Sequence, residues 1–185
     1  MKRLLLHTCC GPCLIRPGEM LKAEYELTCY YYNPNIHPTT EYIERLETLS
    51  AYCRDNGFEL VVGAYEPQRH LIDVAGLGAA RCAVCYHLRL SQAARYAAQN
   101  GYDAFSTTLT VSPYQKHDLI EAIGKQAGEE RGVKFIYRDF RAFYRGAQET
   151  ARKLKMYRQS YCGCIYSEIE RYEKKLAKAE REARE

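Results

Sequence analysis

The chain has 185 residues, 46% of them apolar and 27% charged, with 12 Gly and 6 Pro. These proportions exclude a disordered or collagen-like chain and leave room for one domain with a sizeable core. The net charge of +4 is too small to name a partner, but nine residues are cysteine, an odd number that cannot pair off completely.

The opening Met-Lys-Arg-Leu-Leu-Leu imitates a signal peptide, yet its apolar stretch stops at His7, too short for that role. Arg3–Thr8 reads as a strand, followed by a Gly-Pro turn and a helix around Leu14–Ala23. Glu26–Tyr32 is a second apolar run, stopped by Asn33-Pro34. Thr39–Asn56 reads as a helix, with Thr39 or Thr40 as its cap, Tyr42, Leu46, Leu49 and Cys53 on one face, and Gly57 at its end. Phe58–Val62 is strand-like and Gln68–Ala75 helical; a helix from near Cys82 to Asn100-Gly101 then leads to a run over Ala104–Leu109. His117–Arg131 reads as a helix, Val133–Tyr137 as a fifth strand, and Ser167–Glu185 as a solvated helix. Five strands separated by helices predict an α/β fold, a parallel sheet with helices on both faces. One domain over residues 1–168 is expected, with 169–185 as a charged C-terminal helix or tail.

No apolar run approaches the roughly 20 residues of a membrane helix, so a cytoplasmic protein is expected. In a reducing compartment structural disulfides are disfavoured, which leaves metal binding or redox chemistry to explain the thiols. Cys29 and Cys53 sit on apolar faces and read as core residues. Cys9, Cys10 and Cys13 follow the first strand, where a doubly wound sheet binds its ligands. The segment lacks the Gly-rich run of a phosphate loop. Cys82 and Cys85 open a helix, whose positive end favours the metal-binding thiolate. Two pairs of thiols suit either an iron–sulfur cluster or a structural zinc. Cys162-Gly163-Cys164 reaches disulfide distance only through a bend that Gly163 permits, which favours a labile redox pair over metal ligation. His37, His70 and His117 sit in polar surroundings, and no histidine is assigned as a ligand.

Charge is concentrated in one window. Residues 138–158 hold seven basic and two acidic side chains, so the rest of the chain is slightly acidic. Phe140, Phe143, Tyr144, Tyr157 and Tyr161 alternate with the basic groups, a combination suited to phosphates and unpaired RNA bases. The competing reading is a solvated basic face whose aromatics turn inward.

Taken together, several motifs resemble the epoxyqueuosine reductase QueH family, in the family's order, from residue 4 to about 168. They are Cys9-Cys10-Gly11-Pro12-Cys13, Tyr32-Asn33-Pro34-Asn35-Ile36, Arg81-Cys82-Ala83-Val84-Cys85-Tyr86, Thr107-Thr108-Leu109 with Ser112-Pro113-Tyr114, and Tyr161-Cys162-Gly163-Cys164. The resemblance implies a Rossmann-like fold of the adenine-nucleotide α-hydrolase type with an inserted iron–sulfur site. It also implies reductive removal of the epoxide oxygen from epoxyqueuosine at the wobble position of tRNA, without cobalamin. On this resemblance Cys9, Cys10, Cys82 and Cys85 hold a 4Fe–4S cluster, Cys13 contributes to a second iron ion, and Cys162 and Cys164 are the redox-active catalytic pair. The tRNA contacts expected from the basic window are Arg141, Arg145, Arg152, Lys153 and Arg158. An unidentified electron donor is required. The alternatives are a zinc-stabilised tRNA-binding protein and a generic thiol–disulfide oxidoreductase.

Overall fold

A computed structural model describes residues 1–184. Strands β1 (Arg3–His7), β2 (Glu26–Tyr31), β3 (Glu59–Val62), β4 (Ala104–Thr107) and β5 (Lys134–Phe135) form one parallel sheet in the order β3-β2-β1-β4-β5. The helices are α1 (Gly11–Lys22), α2 (Thr39–Asn56), α3 (Pro67–Val74), α4 (Arg81–Gln99), α5 (His117–Arg131), α6 (Tyr144–Lys153) and α7 (Ile165–Glu182).

Alternation along the strands splits the core in two. Leu4 and Leu6 of β1, with Cys29 and Tyr31 of β2, face Leu14, Leu49, Cys53 and Ala151 of α1, α2 and α6. Leu5, Tyr30 and Phe105 face Leu90, Ala94, Ile120 and Ala127 of α4 and α5 on the other side. Cys29 and Cys53 are therefore the core residues that their apolar settings imply. Because β1 lies between β2 and β4, the strand order reverses there, and crossovers leave to opposite faces. The open crevice of such a sheet lies at that reversal, beyond the carboxyl ends of the strands.

Several local expectations are corrected. Gly11-Pro12 is not a turn preceding a helix but the first turn of α1, where proline's missing N–H costs nothing. Pro38, not Thr39 or Thr40, occupies the N-cap of α2, with no side-chain cap bond. His37, His70 and His117, whose neighbours in sequence are polar, are nonetheless buried, because the C-terminal loop, α3 and Tyr137 pack around them. The fourth strand stops at Thr107, where a 3-10 turn over Thr108–Val111 begins. The edge strand keeps only the two residues that pair with Ala104 and Phe105. One continuous helix, α7, runs across position 168.

Candidate active site

Three cysteine groups share one local device, a helix N-terminus. Cys10 is the N-cap of α1 and Cys13 lies in its first turn; Cys82 lies in the first turn of α4 and Cys85 just beyond it; Cys164 is the N-cap of α7, its Sγ accepting the Ser167 N–H at 3.4 Å. The unpaired N–H groups of each helix end are available to donate to a sulfur, as the Ser167 N–H does to Cys164. β1 delivers the first group to the strand reversal, and the Cys9 N–H donates to Thr108 Oγ1 at 3.2 Å, fixing the loop against the turn after β4. Beneath it, buried His7 contacts Thr107 Oγ1 through Nδ1 (2.9 Å) and the Tyr32 carbonyl through Nε2 (3.1 Å).

The sulfurs of Cys9, Cys10 and Cys13 all lie within 4.8 Å of one another. Sγ of Cys10 is 3.8 Å from that of Cys9 and 2.6 Å from that of Cys13. Among the described residues this is the only group of three or more His, Cys, Asp or Glu side chains so close together. The Cys10 and Cys13 thiols hydrogen-bond Cys9 and hold its pKa well below the usual thiol range, while burial raises Cys10 and the neighbouring thiols raise Cys13. Within the trio the shift toward the anionic form falls on Cys9. Gln159 donates to Cys10 Sγ at 3.1 Å.

Cys82 and Cys85 stand outside that trio. Burial pushes Cys85 up to about 12, against the pull of Arg89, with Cys162, Cys164 and Cys82 adding to the rise. The seven thiols thus divide into a compact three and a looser four. Two guanidiniums link them. Arg45 is almost fully buried, bonds Glu41 at 2.7 Å, and donates to the carbonyls of Cys162 (3.0 Å) and Tyr161 (3.1 Å). Burial opposes its charge, but Cys10, Glu41 and Cys9 outweigh that opposition. Arg89 is likewise buried among Cys85, Cys162, Tyr86 and Cys9. Neither arginine was singled out in the sequence; each looks like an ordinary helical cation, and only the fold buries it.

Cys162 is exposed, although packing around its sulfur raises its pKa; Gln115 donates to that sulfur at 3.3 Å. Gly163 has φ +134, and a Cβ there would meet Ile36, Asn35 and Arg45 at 3.1–3.3 Å, so both conformation and space require glycine.

The basic window breaks up. Arg138 pairs with Glu24, and Arg141 is chelated by Asp139. Arg145, Arg152 and Arg158 line one open groove together with Arg171 of α7, which the sequence reading left in the tail. Lys153 is exposed but not in its lining. Gln159 closes the groove's inner end and touches the thiol trio. The aromatics largely turn inward: Phe140 is in the core, Tyr157 donates to Glu41, and Tyr161 donates to the His37 carbonyl.

A family model described as "Epoxyqueuosine reductase QueH" matches residues 4–170. An epoxyqueuosine reductase QueH of Dehalococcoides mccartyi is 39% identical over 177 residues, covering 93% of this chain and 96% of the relative. One from Thermotoga maritima is 34% identical, covering 94% of each. Among solved structures, a predicted subunit of a tRNA methyltransferase from Methanocaldococcus jannaschii superposes with a TM-score of 0.52 over 81% of this chain and 76% of that one. At 10% identity it shares the fold alone.

Proposed function

Because the chain belongs to the epoxyqueuosine reductase QueH family and is an oxidoreductase, we propose that its seven clustered thiols divide between holding a metal centre and delivering electrons to the epoxide of a tRNA-borne epoxyqueuosine. The observation that carries this reading is the meeting of three helix N-termini, each bearing cysteine, around two buried guanidiniums.

The donor set fits an iron–sulfur centre: soft sulfur ligands, burial, and cationic side chains to balance an anionic group. Cys9, Cys10, Cys82 and Cys85 would hold a 4Fe–4S cluster, and Cys13, against Cys10, would take a second iron beside it. Such a cluster supplies one-electron transfer when bound.

The chain's own thiols account for the remaining chemistry. Deoxygenating an epoxide breaks two C–O bonds, forms one C=C bond and consumes two electrons and two protons. Cys162 and Cys164 supply both electrons as an S–S bond forms, and their two protons leave with the oxygen as water. An external electron donor then restores the dithiol. Gly163, at φ +134, gives the bend through which the two sulfurs would approach. Arg45 anchors the backbone on the N-terminal side of that bend, and Ser167 contacts Cys164 on the other. The arginine groove takes the tRNA backbone, and its inner end leads to the thiols.

The test is anaerobic purification with iron and sulfide analysis, then single turnover on tRNA carrying epoxyqueuosine, with free thiols counted before and after. The expected result is an iron-containing protein that forms queuosine and loses two thiols at Cys162 and Cys164. Colourless, zinc-loaded protein that binds tRNA without turnover would replace this reading with a structural one.

A further inference from the structure

Nine buried side-chain nitrogen and oxygen atoms have no hydrogen-bond partner among the described residues, and they are not scattered. Two belong to residues near sulfur: Gln159 at Cys10, and Arg81, which donates to the Gly78 carbonyl and Glu170 and lies in the field of Cys164. The others lie on Asn33, Asn35 and His37 after β2, His70 on α3, and Arg89 on α4, with the two histidines side by side. Leaving buried polar groups unpaired is costly, so a concentration of them calls for a partner that the chain itself does not supply.

His37 and His70 carry four of these atoms, every nitrogen of both rings. Their ring centroids are 5.3 Å apart, and the residues are 7% and 1% exposed. The pair adjoins the redox loop. The His37 N–H donates to the Gly163 carbonyl at 2.7 Å, and the His37 carbonyl accepts the Tyr161 hydroxyl. His70 lies in the field of Arg89, which also acts on Cys162 and Cys9. Asn35 Nδ2 lies 3.2 Å from where a Cβ on Gly163 would stand.

The chemistry of this pair selects a ligand class. Burial lowers His70 to about 4 and holds His37 below its ordinary value, against a polar contact with the Pro67 backbone. Both rings are therefore neutral near pH 7, each with one donor and one acceptor nitrogen. A phosphate would want donors only, and a metal ion would meet the Arg89 guanidinium nearby. Hydroxyl groups, which donate and accept at once, match the pair. The epoxycyclopentane of epoxyqueuosine carries two of them beside an epoxide oxygen that only accepts, and the free Nη2 of Arg89 only donates.

We propose that His37 and His70, with Asn35, are specificity-determining residues that hydrogen-bond the hydroxyls of the substrate's epoxycyclopentane and hold its epoxide beside Cys162. The assignment rests on the reductase reading above and extends it to residues that carry no thiol.

The test compares two tRNAs, one with epoxyqueuosine and one with guanosine at the wobble position, on anaerobically purified, iron-containing protein. His37→Phe and His70→Phe keep ring bulk and remove the nitrogens. Each is expected to weaken binding of the epoxyqueuosine tRNA by ~10-fold or more, with binding of the guanosine tRNA and iron content unchanged. His70→Gln, which restores a donor and an acceptor, is expected to recover most of the loss. Asn35→Ala supplies the same comparison if a Phe variant melts below the assay temperature. Undiminished preference for the modified tRNA in these variants overturns the proposal, as does loss of a bound metal with either histidine. Failure of the unaltered protein to reduce epoxyqueuosine would instead count against the reductase reading.

Discussion

The β1–α1 junction and the Cys162–Cys164 loop both place cysteine at a helix N-terminus, yet they hold it by different means. Cys10 is 1% exposed and follows a strand paired on both edges, so its backbone is fixed by the centre of the sheet. Cys162 is exposed, belongs to no regular element, and is tied down by Arg45, Gln115 and the contact between Gly163 and His37. Cys29 and Cys53 form a third case, neighbours within the α1–α2 side of the core, where each thiol has the other for company. A thiol fixed by strand pairing suits a ligand whose position must not change. Thiols on a hydrogen-bonded loop with a bendable glycine suit sulfurs that approach and part with oxidation state.

Exchanging serine for cysteine in each region should break this comparison most directly. Cys10→Ser is expected to lose both iron and turnover. Cys162→Ser and Cys164→Ser should lose turnover to background and keep their iron, which metal analysis beside a single-turnover assay will separate. Full turnover with both loop cysteines replaced would remove the redox role from the loop. Arg45→Met comes next. Removing one partner of a buried ion pair costs about 3–5 kcal/mol, and Cys162 should alkylate faster once its anchor is gone. A urea-unfolding loss well below that range would show that Glu41 and the loop do not depend on this guanidinium.

A pH dependence follows from the buried histidine pair. The folded pKa of His70 is about 4 against an ordinary 6.5, so the unfolded chain takes up the proton first as pH falls. Stability is therefore full above pH 6.5 and declines between 6.5 and about 4, by roughly 1–3 kcal/mol for one such group. Urea midpoints at pH 7 and pH 4.5 should show a smaller difference in His70→Gln than in the unaltered chain. Gly163→Ala is expected to add about 1–3 kcal/mol of local strain and to slow turnover while iron content holds. Arg145→Ala and Arg158→Ala should have the smallest effect, each lowering the salt slope of tRNA binding by about one. Arg141→Ala, already occupied by Asp139, should change it less.

The elements that were legible in the sequence are those whose signals are local. Thr39–Asn56 and His117–Arg131 have the expected boundaries because Gly57 and Gly132 adopt φ +63 and +66 at their C-caps. Helix α6 escaped notice because its buried positions, Ala147 and Ala151, are too small to make an apolar stripe among arginines. The buried histidines were misplaced for a related reason: nothing near His37 or His70 in sequence reveals that the Tyr161–Gly163 segment and another imidazole pack against them.

By itself the sequence determined the order of the strands and of most helices, the core placement of Cys29 and Cys53, and the family resemblance that the other seven cysteines carry. Only the tertiary structure decided that the seven divide as three and four. It also decided which arginines of the basic window remain free, that Arg45 and Arg89 are buried beside those thiols, and that His37 packs against the Cys162–Cys164 loop with His70 beside it. The physical reason is distance along the chain. Arg45 meets the Cys162 carbonyl across 117 residues, and burial and charge partnership at such a meeting are properties of packing, which no local pattern encodes.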